Sequence, residues 1–150
     1  MKKRILLLTL LIMSLSPTTE AEIKPTCKAL EDIFKTKVSA ENGRCGVEII
    51  RKDLDLTHMG KKMSPETMEV VFHFTFEQVD SQTAVMGELA LVEDEVNPVI
   101  RELQKGNLDV SALHNHMIHE QPRIMYIHFQ GIGDMIQQAN TIKKAIDKTK

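Results

Sequence analysis

Residues 70–78 alternate between apolar and polar positions, with Phe72, Phe74 and Phe76 on one parity and Val71, His73, Thr75 and Glu77 on the other. That is the period of a strand with one buried face. After a turn at "VDSQT", residues 84–92 form a second strand, Val85, Leu89 and Leu91 facing one way and Met86, Glu88 and Ala90 the other. The pattern then changes period. "EDEVNPVIRELQKGN" reads as a helix with acids in its first turn, where they suit the helix dipole, and Gly106 as its stop. Pro98 is expected within the first turn, where a missing N–H costs little. Residues 109–117 and 124–130 form two further strands around a loop at "IHEQP", and "IGDMIQQANTIKKAIDKTK" closes the chain as an amphipathic helix. Upstream, "CKALEDIFKTK" makes a short helix, "ENGRCG" a turn and "VEIIRKDLDLTH" a bent strand or hairpin. "MGKKMSPETM" is a polar loop.

Strand, strand, helix, strand, strand, helix predicts an α+β fold with two helices on one face of a four-stranded sheet. The order matches a ferredoxin-like sheet permuted so that the usual last strand comes first, preceded by an extra helix and strand. Right-handed crossover favours the spatial order 70–78, 84–92, 124–130, 109–117.

Four of six histidines fall between residues 112 and 131. In the last strand Met125, Ile127 and Phe129 are the apolar set, so Tyr126, His128 and Gln130 face away from the helices. In the strand before it, Val110, Ala112, His114 and His116 share a parity, and unpaired imidazoles are costly to bury. Both histidines therefore belong on the open face. A hairpin folded about Pro122 sets His116 opposite His128 at roughly 5 Å between Cβ atoms, with His114 roughly 7 Å along the strand. Glu88 joins them from the neighbouring strand, and His73 lies one strand further out. His119 belongs to the loop and is expected to face solvent. Three imidazoles and a carboxylate suit a four-coordinate divalent ion, zinc first, copper or iron next. A metal-free ligand pocket and a structural or dimerising face are the competing readings of the same residues. Met117 and Met125 are read as core filler.

Bulk composition narrows the setting. The 150 residues open with a basic "MKKR" and an apolar "ILLLTLLIMSLS" ending near Ala21. That pattern predicts a signal peptide over 1–21, a single domain over 22–150 and a secreted or periplasmic product. The apolar run, about a dozen residues, is short for a membrane span, and no cysteine stands where a lipid anchor needs one. Losing Lys2, Lys3, Arg4 and Glu20 leaves 16 basic and 20 acidic residues from 19 and 21. No clustered basic face points to nucleic acid. Cys27 and Cys45 are the only cysteines; in an oxidising compartment they favour a disulfide joining the first helix to the next strand. A metal-binding pair is the rival, although the spacing fits no zinc pattern.

Together these residues resemble the LppY/LpqO family of exported bacterial proteins, whose function is unknown. The likeness runs from about Cys27 to the C-terminus and rests on Gly87–Leu91, Glu95–Val99, Ala112–His116, Pro122–Arg123, Tyr126–His128 and Gly131–Gly133. It implies that Glu88, His114, Asn115, His116, Arg123 and His128 stand at the family's characteristic positions. Glu88 takes the place of an aspartate. Many relatives look like tandem copies of this unit, so a homodimer would stand in for the pair here.

The expectation is an exported protein binding a divalent transition metal through His114, His116 and His128. Glu88 is fourth ligand or base, Glu120 a second candidate proton acceptor, and Arg123 a group for an anionic substrate. Metal-assisted hydrolysis is the reaction class such a site permits. The alternative is a non-enzymatic cell-envelope module binding a small ligand or a second copy.

Overall fold

The computed structural model describes residues 27–149, so the expected signal segment, 1–21, lies outside the described residues. Among the described residues, two sheets and three helices make up the fold. Helix α1 (Cys27–Phe34) is followed by β1 (Val38–Glu41) and β2 (Arg44–Ile50), then β3 (Leu56–His58) and β4 (Lys61–Met63). Strands β5 (Val71–Val79) and β6 (Gln82–Val92) lead into α2 (Glu93–Lys105). β7 (Asp109–His114), β8 (Glu120–Gln121), β9 (Ile124–Gly133) and α3 (Met135–Ile146) complete the chain.

The main sheet has the order β1-β2-β5-β6-β9-β7. Its last four strands reproduce the permuted ferredoxin-like order expected from the pattern. The sheet is wider than four strands because β1 and β2 extend its edge as a hairpin. Asn42 and Gly43 both take positive φ, 51° and 77°, as a two-residue turn requires. The disulfide is present between Cys27 and Cys45, pinning the start of α1 to β2.

All three helices bury their apolar stripes against one face. Leu30 and Phe34, then Val96, Val99 and Leu103, then Ala139, Ile142 and Ala145 join Phe72, Phe74, Phe76, Val85, Leu89, Ile127 and Phe129 in one core. The Phe74 ring meets Phe34, Phe76 and Phe129 at centroid distances of 4.9, 6.0 and 6.1 Å. Gly87 allows β6 to pass this close: a Cβ there would stand 2.7 Å from the His73 carbonyl oxygen and 2.8 Å from Phe74 Cα.

Four expectations are corrected. "VEIIRKDLDLTH" divides between sheets: β2 ends at Ile50, and β3 pairs with β4 and β8 in a separate layer ordered β4-β3-β8. The polar loop after it contains β4, a three-residue strand too short to show alternation. Pro98 is the sixth residue of α2, not in its first turn. The carbonyl it deprives of a donor belongs to exposed Asp94, which water can reach. Finally, the second face is not fully open. The small sheet and residues 64–70 cover one end of it, enclosing Leu56, Met68, Val70, Ala90, Ile124 and Tyr126 in a second core. Tyr126, expected on an exposed face, is completely buried there, its hydroxyl donating to the Met68 carbonyl at 3.2 Å.

Arg51 holds the two layers and α2 together. Only 3% exposed, it ends the main-sheet segment at β2. Its Nη1 donates to Glu95 Oε2 at 2.8 Å and to the Ala90 carbonyl at 3.1 Å, and Nη2 reaches Glu95 Oε1 at 3.1 Å. Asp53 takes Nε and the second Nη2 hydrogen, the latter at 2.7 Å. The guanidinium also lies 5.1 Å over the Phe72 ring. Glu95, itself 2% exposed, accepts the Val92 backbone N–H at 3.0 Å and so caps α2 as well.

Two outcomes follow from these contacts. Glu95→Ala leaves the buried guanidinium with half-exposed Asp53 as its remaining carboxylate partner and is expected to cost about 3 kcal/mol in urea unfolding; a loss under ~1 kcal/mol would show that Asp53 alone is sufficient. Burial, and after it the carboxylates of Glu120, Glu88 and Glu69, push the Tyr126 phenol well above the ordinary range. A raised folded pKa gives stability that is complete below the unfolded value of about 10 and is lost as pH rises past it. Because the chain has one tyrosine, its tyrosinate absorbance reports this group alone. Ionisation is expected only together with alkaline unfolding, and a reversible step near pH ~10 in folded protein would contradict it.

Candidate metal centre

The uncovered part of the second face carries a row of residues paired rung by rung across the main sheet. Glu48 pairs with His73, His73 with Glu88, Glu88 with His128 and His128 with Ala112. Side chains on one rung share a face, so carboxylate and imidazole alternate over four strands. His73 is exposed and faces Glu88 with no hydrogen bond or ion pair to it among the described residues.

β7 supplies His114, in a register that differs from the expected one. A bulge at Ser111 separates the pairs Val110–Phe129 and Ala112–His128. The extra residue reverses parity. Val110 therefore turns into the main core, while Ala112 and His114 keep to the second face, His114 opposite Tyr126. Val110 does not share a face with His114, and His116 does not pair with His128, as strict alternation had required. β7 ends at His114.

His116 reaches the site from the loop beyond. Its ring lies flat on Tyr126, with centroids 3.5 Å apart and planes 8° from parallel. Asn115 closes the loop, its Nδ2 donating to the Ile124 carbonyl at 2.6 Å. Glu120 clamps the same residue from the other side, accepting the Ile124 N–H at 3.1 Å. Glu120, expected as a second proton acceptor, is buried with that oxygen engaged. Arg123 is exposed and its Nη1 is 3.5 Å from Asn115 Oδ1, so its contact is with the loop closure. His119 is exposed, as expected. Met117 packs in the second core and Met125 against the main one, which matches their reading as filler.

Around Glu88 the geometry is tight. One ligand atom each from Glu88, His114 and His116 lies within 4.8 Å of the other two. The His114 ring sits 5.0 Å from the His116 ring and 5.0 Å from the His128 ring, stacked on the latter at 18°. Glu88 Oε2 is 3.5 Å from His116 Nε2 and 2.7 Å from His128 Nε2. Two imidazoles and one carboxylate are a set that can hold zinc or iron while leaving coordination positions for water or substrate. Ligand atoms of a tetrahedral ion with bonds of about 2.1 Å lie about 3.4 Å apart. Small side-chain rotations would bring the three to that spacing.

Two shallow clefts adjoin the group. One of about 350 Å³ is lined by Glu48, Glu66, Glu69, His73 and Glu88, and the other, of about 370 Å³, by His73, Thr75, Met86, Ser111 and His128. Two features escaped sequence reasoning: the platform under His116 and the bulge. The Ser-Ala pair in "DVSALH" carries no bulge signal, and Tyr126 has the same parity as half-buried His128.

No curated protein and no solved structure matches the chain. A family model described as "Domain of Unknown Function (DUF1259)" matches residues 28–148, a span that contains every residue of the group. By that match, the chain belongs to this family of unknown function.

Proposed function

We propose that this is an exported protein that binds a divalent transition metal through Glu88, His114 and His116, and that the ion serves metal-assisted hydrolysis. The observation that supports it is the convergence of those three ligand atoms within 4.8 Å from two segments distant along the chain, β6 and the end of β7 with the loop beyond it. Zinc is the first candidate, and iron suits the same two-histidine, one-carboxylate set. A zinc ion held by three protein groups supplies a bound water whose pKa falls to about 7. The chain's own part is to orient the ligands: Tyr126 under His116, the Ser111 bulge behind His114, and β6 beneath Glu88. Export is supported by the N-terminal pattern and the Cys27–Cys45 disulfide. Resemblance to the LppY/LpqO family and a homodimer in place of a tandem pair belong to the same reading.

The two clefts beside His73 and Glu88 favour a second reading, in which the same face binds a small envelope ligand without catalysis. Metal content separates the two. Protein purified from the periplasm without tag or chelator is expected to carry near-stoichiometric zinc or iron, and a His114→Ala/His116→Ala double variant almost none. If both preparations are empty and neither can be loaded with zinc, copper or iron, the metal reading falls and the organic-ligand one replaces it.

A further inference from the structure

His128 has every attribute of a third imidazole ligand except the geometry. It lies on the same face as His114 and stacks on it at 5.0 Å, yet the three atoms that converge belong to Glu88, His114 and His116. Its Nε2 is instead engaged at 2.7 Å by Glu88 Oε2. An ionised carboxylate only accepts hydrogen bonds, so Nε2 carries the hydrogen and its lone pair is not available to a metal. The other nitrogen, Nδ1, lies on the far side of the ring from the bond to Glu88 and points away from it.

We infer that His128 is a positioning residue, which holds the Glu88 carboxylate for the metal without ligating it. This rests on the metal reading above and gives a role to the histidine that its ligand set leaves out. The physical reason is a choice between rotamers. Glu88 has three side-chain torsions on an open sheet face, and opposite it on β5 stands His73, which is not bonded to it. An Nε2–H from the rung on the other side selects the rotamer that turns the carboxylate towards His116. A donor held by stacking on His114 is itself fixed, so the selection extends from one ligand to the other. Outer partners of this kind typically change metal affinity 10–100-fold when removed.

The test uses the mature protein loaded with Cu(II) as a spectroscopic probe, with zinc affinity measured by chelator competition. Wild type, His128→Gln, His128→Leu and His116→Ala are compared, their folding checked by circular dichroism. Glutamine places an amide N–H near the position of imidazole Nε2–H and leucine does not. Pulsed EPR is expected to count two imidazoles in the wild type and in both His128 variants, and one in His116→Ala. Zinc affinity is expected to fall about 10–100-fold in His128→Leu and to return to within several-fold in His128→Gln. Three imidazoles in the wild type, falling to two in both His128 variants, would overturn the inference and leave the metal site standing. Equal zinc affinity in His128→Leu and wild type would also overturn it. A wild type that takes up no metal would overturn the metal reading and this inference with it. Should His128→Leu fail to fold, the imidazole count in His128→Gln decides between positioning and ligation.

Discussion

The guanidinium of Arg51 is buried where β2 leaves the main sheet, and its pairing with Glu95 constrains everything around it. An unpaired guanidinium at that depth is far too costly to keep, so the fold is acceptable only with α2 docked and capped in one position. The same group donates to the Ala90 carbonyl in β6 and spans to Asp53 in the turn that leads to β3. One side chain therefore sets where the main sheet ends, where the second layer begins and how the helix after β6 starts. Such an ion pair need not add net stability over an apolar contact; its effect is to exclude other arrangements.

The second layer follows from that turn, and the histidine group follows from the second layer. Covering the Ala90–Tyr126–Ile124 end of the sheet buries Tyr126 and provides a flat, dry platform. His116, which lies outside any strand, is held by stacking on it. The uncovered end keeps Glu88, His114 and His128 within reach of solvent. A site at the border of covered and uncovered sheet has rigid support below and access above, the combination that ligand binding requires.

Much of this was legible in the residues. Alternation at Phe72, Phe74 and Phe76 and at Val85, Leu89 and Leu91 located the two central strands and their buried faces, and the change to helical period located α2 and α3. Strand order followed from the right-handed crossover of β6–α2–β7. The cysteine pair led to the disulfide, and the parity of His128 and Glu88 put those two side chains side by side. Where alternation ran into a bulge, at Ser111, the same logic failed for Val110 and for the partner of His116. The three-residue strands β3 and β4 and the two-residue β8 are shorter than one period of reliable pattern, so the second layer left no trace in the hydrophobic spacing.

The amino-acid sequence by itself determined the α+β class, the four longer strands with their permuted order, the helices and the placing of Glu88, His114 and His128 on one face. Those features depend on local periodicity and chirality, which are properties of short stretches of chain. Tertiary structure alone decided which three of the four groups converge, because that depends on a one-residue bulge, a stacked ring and a hydrogen bond between Glu88 and His128. Each of these is a contact between segments distant along the chain, formed once the layers have closed, and no local pattern encodes it.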